Sequence, residues 1–261
     1  MGRILAVTNQ KGGVGKTTTS VNLAASLAAL DCPVLLVDLD PQGNATMGCG
    51  LDKRSLEATV CDLLLDDAIR PEDVLVRTPE PEPGFDLLPA NADLTAAEVE
   101  LLGMVRREYR LRSVLEGLKA HYDWILIDCP PSLSILTFNA LTAADGVMIP
   151  MQCEYYALEG LSALLDTVAA VRERTNPNLE IEGLLRTMYD PRNSLTRDVS
   201  RQLIQHFGER VYRTVIPRNV RLAESPSHGL PVLAYDRLSR GAVSYQALAA
   251  ELSRRHAEGA A

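Results

Sequence analysis

The sequence predicts an α/β fold, with a mostly parallel twisted sheet and helices on both faces. Its 261 residues, 46% hydrophobic and 23% charged, have the size and composition of one ordinary globular domain. Short apolar runs alternate with amphipathic segments along the whole chain, which is typical of strand–helix–strand units. A glycine-rich loop also lies between an apolar run at 3–9 and a helical pattern at 16–30. We therefore expect residues 1–261 to form a single domain.

The alternation assigns an element to most of the chain. Strand candidates are short apolar runs, as expected for strands buried on both faces; they are 3–9, 33–38, 85–89, 123–128, 145–150, 180–187 and 211–216. Helix candidates carry apolar residues at helical spacing; they are 16–30, 91–104, 108–120, 133–143, 157–174, 195–207 and 240–255. The proline-rich stretch 66–84 is predicted to be an exposed connection within the domain.

The glycine-rich loop has the composition of a phosphate-binding loop. Its glycines let successive backbone N–H groups turn inward, and the following helix N-terminus adds partial positive charge. Lys16 can reach the outer phosphates of a nucleotide, and the Thr17 hydroxyl can ligate Mg²⁺. The nucleotide-binding candidates are Lys11, Gly12, Gly13, Val14, Gly15, Lys16, Thr17 and Thr18. The alternative, a turn without a ligand, is disfavoured because the flanking elements fit the motif.

One position departs from the standard form of this loop. The residue six places before Lys16 is Gln10, where the standard loop has glycine, and a second lysine, Lys11, stands beside the glycine pair. A lysine at the mouth of the loop is poorly placed to serve its own phosphates. It could instead serve those of a facing subunit.

Carboxylates end two of the apolar runs. Asp38 and Asp40 follow one strand and lie on the same side of it, so one can touch a Mg²⁺ shell while the other orients the attacking water. Asp128 ends the run that begins at Trp124 and would hold Mg²⁺, usually through water. The metal candidates are therefore Thr17, Asp38 and Asp128. Taken alone, the first pair could be a solvated turn and Asp128 a helix cap.

The turn at 215–221 is a candidate for contact with a nucleotide base. Pro217 makes it rigid, and Asn219 offers both a donor and an acceptor to a base edge. The same residues also describe an ordinary turn that ends in a helix cap.

Charge is distributed unevenly along the chain. Residues 1–180 carry a net charge of −12, whereas residues 181–261 contain 12 arginines, no lysine and 8 acidic residues, a net +4. This is either a phosphate-binding face or a set of solvated helix faces. Five scattered cysteines without metal spacing, the absence of a signal-like start and the absence of an apolar run near 20 residues predict a reduced, cytoplasmic protein off the membrane.

Together these motifs resemble the ParA/Soj chromosome- and plasmid-partition ATPases, a deviant Walker A class of P-loop NTPases. The resemblance covers nearly the whole chain. It is carried by the loop at 11–18 and by residues 38–44, 154–160, 216–222 and 224–229. It implies a Mg²⁺-dependent ATP hydrolase of weak intrinsic activity, with ATP and Mg²⁺ as cofactors. It also implies a homodimer with sandwiched ATP, non-specific binding to double-stranded DNA, and a ParB-type partner that stimulates hydrolysis.

The resemblance assigns roles to single residues. Lys11 reaches across the dimer and Gly12 lies at the contact between subunits; Lys11, Lys16 and Asp40 form the catalytic set, and Pro217 with Asn219 frames adenine. Arg192 matches a position implicated in DNA binding. Further DNA candidates, by charge and location, are Arg218, Arg221, Arg237 and Arg240. Relatives often read Tyr-Asp-Pro-Arg-Ser where this chain has Tyr-Asp-Arg-Leu-Ser at 235–239, so a basic side chain has moved by one position. Glu154, Tyr155 and Tyr156 are predicted to be loop and interface residues.

The preferred hypothesis is a partition ATPase that resides in the cytoplasm on the nucleoid. A MinD-like membrane-associated ATPase is the alternative, but it would need a C-terminal amphipathic helix with bulky apolar residues, and the tail 252–261 has one. A metal-cluster carrier would need patterned cysteines. Asp38, Asp40 and Asp128 argue against a binding module that holds ATP without hydrolysing it.

Overall fold

The computed structural model describes residues 2–155 and 157–259, and its described part contains one sheet of eight strands. The strands are β1 (Arg3–Val7), β2 (Val34–Asp38), β3 (Val76–Arg77), β4 (Asp86–Leu88), β5 (Trp124–Asp128), β6 (Gly146–Gln152), β7 (Glu180–Tyr189) and β8 (Val211–Pro217). Their order across the sheet is β3-β4-β2-β5-β1-β6-β7-β8. Every neighbouring pair is parallel except β3 with β4, which confirms the predicted, mostly parallel α/β sheet.

Helices connect the strands and cover both faces. They are α1 (Lys16–Ala28), α2 (Asn44–Gly48), α3 (Val60–Leu65), α4 (Pro71–Val74), α5 (Leu94–Leu102), α6 (Arg110–Leu118), α7 (Ile135–Ala143), α8 (Ala157–Arg174), α9 (Ser194–Phe207), α10 (Val220–Glu224), α11 (Val232–Tyr235) and α12 (Arg240–Gly259). Short 3₁₀ turns lie at 107–109, 208–210 and 225–228.

The strands are buried on both faces because consecutive side chains point to opposite sides of the sheet. In β1, Ile4 and Ala6 join one hydrophobic core with residues of α3 and α5–α9, whereas Leu5 and Val7 join a second core with residues of α1, α2 and α10–α12. This two-sided burial explains why the strand sequences are continuous apolar runs and do not alternate.

The stretch 66–84 differs from the prediction. It was expected to be an exposed connection, but it contains α4 and the edge strand β3, and both Thr78 and Pro81 are buried. Thr78 holds this segment to the sheet, since its hydroxyl donates to the Phe85 carbonyl at 2.9 Å and accepts from the Phe85 N–H at 3.0 Å. Helices α2, α3, α4 and α11 were likewise not predicted, because each has six residues or fewer.

At the other edge of the sheet, the Glu251 side chain binds backbone N–H groups of strand β8. The pairing of β8 with β7 is irregular, and Glu251 of α12 accepts the N–H groups of Arg213 (2.8 Å) and Thr214 (2.9 Å) at that irregularity. Arg255 completes the contact, with 2.7 Å between its guanidinium and the Glu251 carboxylate.

Candidate nucleotide-binding site

The glycine-rich loop leaves the carboxyl end of β1, between β5 and β6 at the centre of the sheet. This is the edge where ligands of open α/β sheets bind. Gly13 and Gly15 have positive φ angles of 72° and 87°, a region that costs little only for glycine. Helix α1 begins directly afterwards at Lys16, so its N-terminus opens onto the loop.

The two lysines of the loop point in different directions. Lys16 is buried, with 7% of its surface exposed, and its Nζ lies 3.4 Å from the Lys11 carbonyl oxygen. Burial lowers the pKa of Lys16, and the nearby Asp128 partly opposes this shift. The side chain of Lys11 is half-exposed and makes a 2.6 Å ion pair with Glu154, beyond the end of β6. Lys16 therefore belongs to the interior of the loop and Lys11 to its outer rim.

Asp38 and Asp128 are register partners at the ends of β2 and β5, and both are fully buried. Burial is the largest cause that raises the pKa of each carboxyl group, and the proximity of the two acids adds to it for Asp128. The oxygens of Asp38 are engaged: Thr46 donates its N–H and hydroxyl to Oδ2 at 2.8 and 2.7 Å, and the Asp40 N–H lies 3.2 Å from Oδ1.

Asp128 fits a hard cation better than Asp38 does. Its Oδ1 accepts a 2.8 Å bond from Ser20, whereas Oδ2 is buried without a hydrogen-bond partner among the described residues. This carboxylate, which has the Thr17 hydroxyl close by and the charges of Asp38 and Asp40 near it, offers the oxygen ligands that Mg²⁺ prefers. Asp40 is also buried, and its Oδ1 accepts the Gln42 N–H at 2.9 Å, which fixes the carboxylate at the mouth of the site.

A cavity of about 200 Å³ adjoins the loop and lies beside Gly15 and Thr18. Pro217 and Asn219, the residues predicted to contact a base, line it together with Met188 of β7. The Asn219 Oδ1 also accepts the Leu222 N–H at 3.3 Å and caps α10. The helix-cap interpretation of this turn is therefore confirmed, and the base-contact interpretation stays a prediction, with Asn219 beside the cavity.

Three side chains that the sequence did not single out hold the loop from outside. The Asn9 Nδ2 donates to the Pro150 carbonyl at 2.8 Å, the Gln152 Nε2 to the Gly13 carbonyl at 3.0 Å, and the Thr187 hydroxyl to the Val14 carbonyl at 2.8 Å. Gln152 and Thr187 are more than 130 residues from the loop in sequence, so only the sheet order β1-β6-β7 brings them there.

The five arginines proposed from the sequence are all exposed, but their surroundings differ. Arg192 binds Asp190 at 2.8 Å, and Arg221 binds Glu224 at 2.9 Å and Asp236 at 3.2 Å. In the described part of the chain, Arg218, Arg237 and Arg240 have no ion-pair partner. A further arginine of this region, Arg186, is buried and bonded to Ser200 and the Tyr212 carbonyl, so it belongs to the core.

Two observations among residues 2–155 and 157–259 concern the other functions considered for this sequence. No helix there is long and apolar enough to cross a membrane, and no three His, Cys, Asp or Glu side chains are arranged to hold a metal ion by themselves. Of the cysteines, Cys49, Cys61, Cys129 and Cys153 are buried, and burial raises the pKa of each thiol. Tyr156, expected at an interface, lies outside the described residues.

Comparison with known proteins identifies the family. A family model described as an AAA domain matches residues 2–181. The sporulation initiation inhibitor protein Soj of Bacillus subtilis is 55% identical, over 97% of this chain and 99% of its own length. The chromosome partitioning protein ParA of Caulobacter vibrioides is 51% identical, over 96% of this chain and 93% of its own length.

A solved structure extends the likeness to three dimensions. The crystal structure of a protein named cobyrinic acid a,c-diamide synthase, from Mycobacterium smegmatis with bound ADP and magnesium, superposes with a TM-score of 0.86 at 42% identity. The match covers 99% of this chain and 97% of that one. The identities to Soj and ParA run over nearly the full length of all three chains, and the chain belongs to the ParA/Soj family of chromosome-partitioning ATPases.

Proposed function

We propose that the chain is a partition ATPase whose ATP-bound dimer binds DNA without sequence preference and whose hydrolysis releases it. The main support for a dimer is the position of Lys11. It lies on the outer rim of the loop, where the ion pair with Glu154 holds it away from the interior. From there its ammonium group can serve phosphates presented by a facing subunit. Gly12 supports this arrangement, because no atom lies within 4 Å of a Cβ placed on it, so this face of the loop is open.

The nucleotide occupies the loop and the adjoining cavity in this proposal. The inward N–H groups of the loop and Lys16 bind the phosphates, and Pro217 with Asn219 contacts the base. The M. smegmatis structure, which holds ADP and magnesium, supports this choice of cofactors. Thr17 and Asp128 would hold the Mg²⁺ ion, and Asp38, which lies next to Asp128 in the sheet, would contribute negative charge near it. When bound, the ion neutralises phosphate charge.

Asp40 orients the attacking water. It is buried beside the loop, and the Gln42 N–H fixes one of its oxygens. Its other oxygen is then available to accept a proton or a hydrogen bond from water. Since such phosphoryl transfer depends on positioning and charge neutralisation, a subunit that lacks its partner's Lys11 hydrolyses slowly. A ParB-type protein is the stimulating partner that the family implies.

DNA binds the arginine-rich last third of the chain. The unpaired Arg218, Arg237 and Arg240 are the stronger candidates, because Arg192 and Arg221 must first give up carboxylate partners. Dimerisation doubles the number of phosphate contacts in one complex, so affinity should rise with ATP and fall steeply with salt.

The test is binding to a random-sequence DNA duplex with ATP, with ADP and without nucleotide, at two salt concentrations. Tight, salt-sensitive binding only with ATP is expected, and Lys16→Ala should abolish it together with nucleotide binding. Arg240→Ala should weaken binding more than the matched change Arg254→Ala on the same helix. Binding that is equal in all nucleotide states, or absent in all of them, would overturn the proposal.

The membrane-associated alternative is less well supported. Leu248 and Leu252 of α12 are fully buried in the core, so they are not available to a bilayer, and Val243 is the one large apolar side chain that α12 exposes among the described residues. Sedimentation with anionic liposomes in the presence of ATP should therefore leave the protein in the supernatant. Co-sedimentation would favour the alternative.

A further inference from the structure

Two neighbouring peptide groups of the phosphate-binding loop are fixed by side chains from the adjacent strands. Gln152, at the end of β6, donates from Nε2 to the Gly13 carbonyl at 3.0 Å. Thr187, in β7, donates from its hydroxyl to the Val14 carbonyl at 2.8 Å. These are consecutive peptide planes in the part of the loop where Gly13 and Gly15 have positive φ.

Because the peptide bond is planar, these two contacts also determine the directions of the Val14 and Gly15 N–H groups. In a planar trans peptide the C=O and the next N–H point in opposite directions. Binding the Gly13 carbonyl therefore directs the Val14 N–H away from β6, and binding the Val14 carbonyl directs the Gly15 N–H away from β7. Both N–H groups are thus turned away from the strands that hold the carbonyls. N–H groups arranged in this way form an anion-binding concavity.

We propose that Gln152 is a positioning residue for the nucleotide phosphates, and that it acts by holding the Gly13–Val14 peptide plane. This inference rests on the nucleotide binding proposed above. Thr187 acts on the next peptide plane in the same way. Without these donors the loop retains its glycines, but its N–H groups must be ordered when the ligand arrives, and affinity falls by that cost.

Gln152 also joins the loop to the cavity for the base. Its Nε2 lies 2.7 Å from the sulfur of Met188, a cavity-lining residue with a φ of +47°. A left-handed conformation is unfavourable for a methionine and is kept only where the surroundings impose it. One amide group therefore contacts both the phosphate loop and the wall of the base cavity.

Gln152 is suited to test this role because it is only partly buried at the end of its strand. Gln152→Met keeps the length of the side chain and removes the donor. Gln152→Glu keeps the shape, removes the donor when ionised and restores it when protonated. Gln205→Glu, an exposed change on α9, is the matched control for added charge.

The experiment measures the affinity of each variant for a fluorescent ATP analogue with Mg²⁺, from pH 5 to pH 8, relative to the wild type at the same pH. Gln152→Met should bind about two- to tenfold more weakly at every pH, as expected for the loss of one hydrogen bond that orders the loop. Gln152→Glu, whose side chain is ionised at neutral pH and cannot donate, should bind at least as weakly as Gln152→Met at pH 8. Gln205→Glu should match the wild type throughout.

The outcomes separate this inference from the function on which it rests. If the wild type binds the analogue and Gln152→Met binds equally well, Gln152 has no positioning role and the inference is wrong. If Gln152→Glu binds as tightly as the wild type at pH 8, the donor is not the relevant property, and the inference also fails. If the wild type itself does not bind the analogue, the proposed function fails instead.

Discussion

Lys11 is bound to Glu154 by an ion pair of 2.6 Å, and both side chains are about half-exposed. Ion pairs this open to solvent stabilise a protein by about 0–1 kcal/mol. The contact therefore holds the lysine in one place without preventing its release. A second subunit that offers nucleotide phosphates can compete for the same ammonium group.

Removal of the ion pair between Lys11 and Glu154 should favour dimerisation slightly. For Glu154→Gln we expect the ATP-dependent dimer to form at a protein concentration up to about fivefold lower, in line with the small energy of an exposed pair. Sedimentation equilibrium with ATP measures this, with Glu173→Gln, an exposed change on α8, as the control. Weaker dimerisation of Glu154→Gln would mean that Glu154 is itself an interface residue.

Gly12 and Gly13 should respond differently to substitution. A Cβ placed on Gly12 meets no atom within 4 Å in the subunit, so Gly12→Val should fold and bind ATP but remain monomeric, because the added side chain projects from the open face. Gly13 has a φ of +72°, and Gly13→Ala should cost about 1–2 kcal/mol of stability within the monomer. Light scattering with ATP and chemical denaturation check the two expectations. A Gly12→Val dimer would place the subunit contact elsewhere.

Asp40→Ala should separate binding from hydrolysis. The variant keeps Lys16 and Asp128, so it should bind ATP, dimerise and hold DNA. Loss of the group that orients water should slow phosphate release by about 100-fold or more. Steady-state phosphate release with DNA present measures this, and Asp52→Ala, an exposed change in the next loop, should behave like the parent. Turnover of Asp40→Ala at the parental rate would remove Asp40 from its assigned role.

Asp128 should make the nucleotide-free protein less stable as the pH rises. Because its pKa is raised in the folded state, the native protein keeps a proton that the unfolded chain has lost above about pH 4. The free energy of unfolding then falls with increasing pH until the raised pKa is passed. Asp128→Asn has no carboxyl group to titrate at this position, so it lacks this fall in the free energy of unfolding. Its stability relative to the wild type should therefore increase from pH 5 to pH 8, as measured by urea denaturation with EDTA.

The control for this pH dependence is Asp166→Asn, an exposed change on α8, whose stability relative to the wild type should be flat over the same range. A flat difference for Asp128→Asn would contradict the assignment of a buried, protonated carboxyl group. Added Mg²⁺ should reduce the disadvantage of the wild type at pH 8, since a bound cation stabilises the ionised carboxylate.

Much of the fold could be read from the sequence because its signals are local. The strands from β1 to β8 are apolar runs, apart from β3, and the loop between β1 and α1 carries its own glycines and lysines. Strand β3 has two residues and could not be distinguished from the prolines around it. Asp40, Asp128 and Lys16 could be proposed as site residues because they stand next to these local signals.

The missing parts of the site are contacts between distant segments. Ser20 reaches Asp128 across the sheet edge, and Gln152 and Thr187 reach the loop only because β6 and β7 lie next to β1. Hydrogen bonds to backbone carbonyls leave no pattern in a single sequence. The outward position of Lys11 was inferred from its place in the motif, whereas its partner Glu154 could only be seen in the structure.

Glu251 has a consequence for how copies of this protein can associate. Sheet edges with free N–H groups invite a strand from another molecule, which leads to continuous sheets or aggregates. At β8 two of these donors are taken by Glu251, and the irregular pairing with β7 bends the ladder there. The outer strand is thus a poor template for another strand. Extension of the sheet by a second copy is therefore disfavoured at the middle of β8, where two N–H groups are already bound.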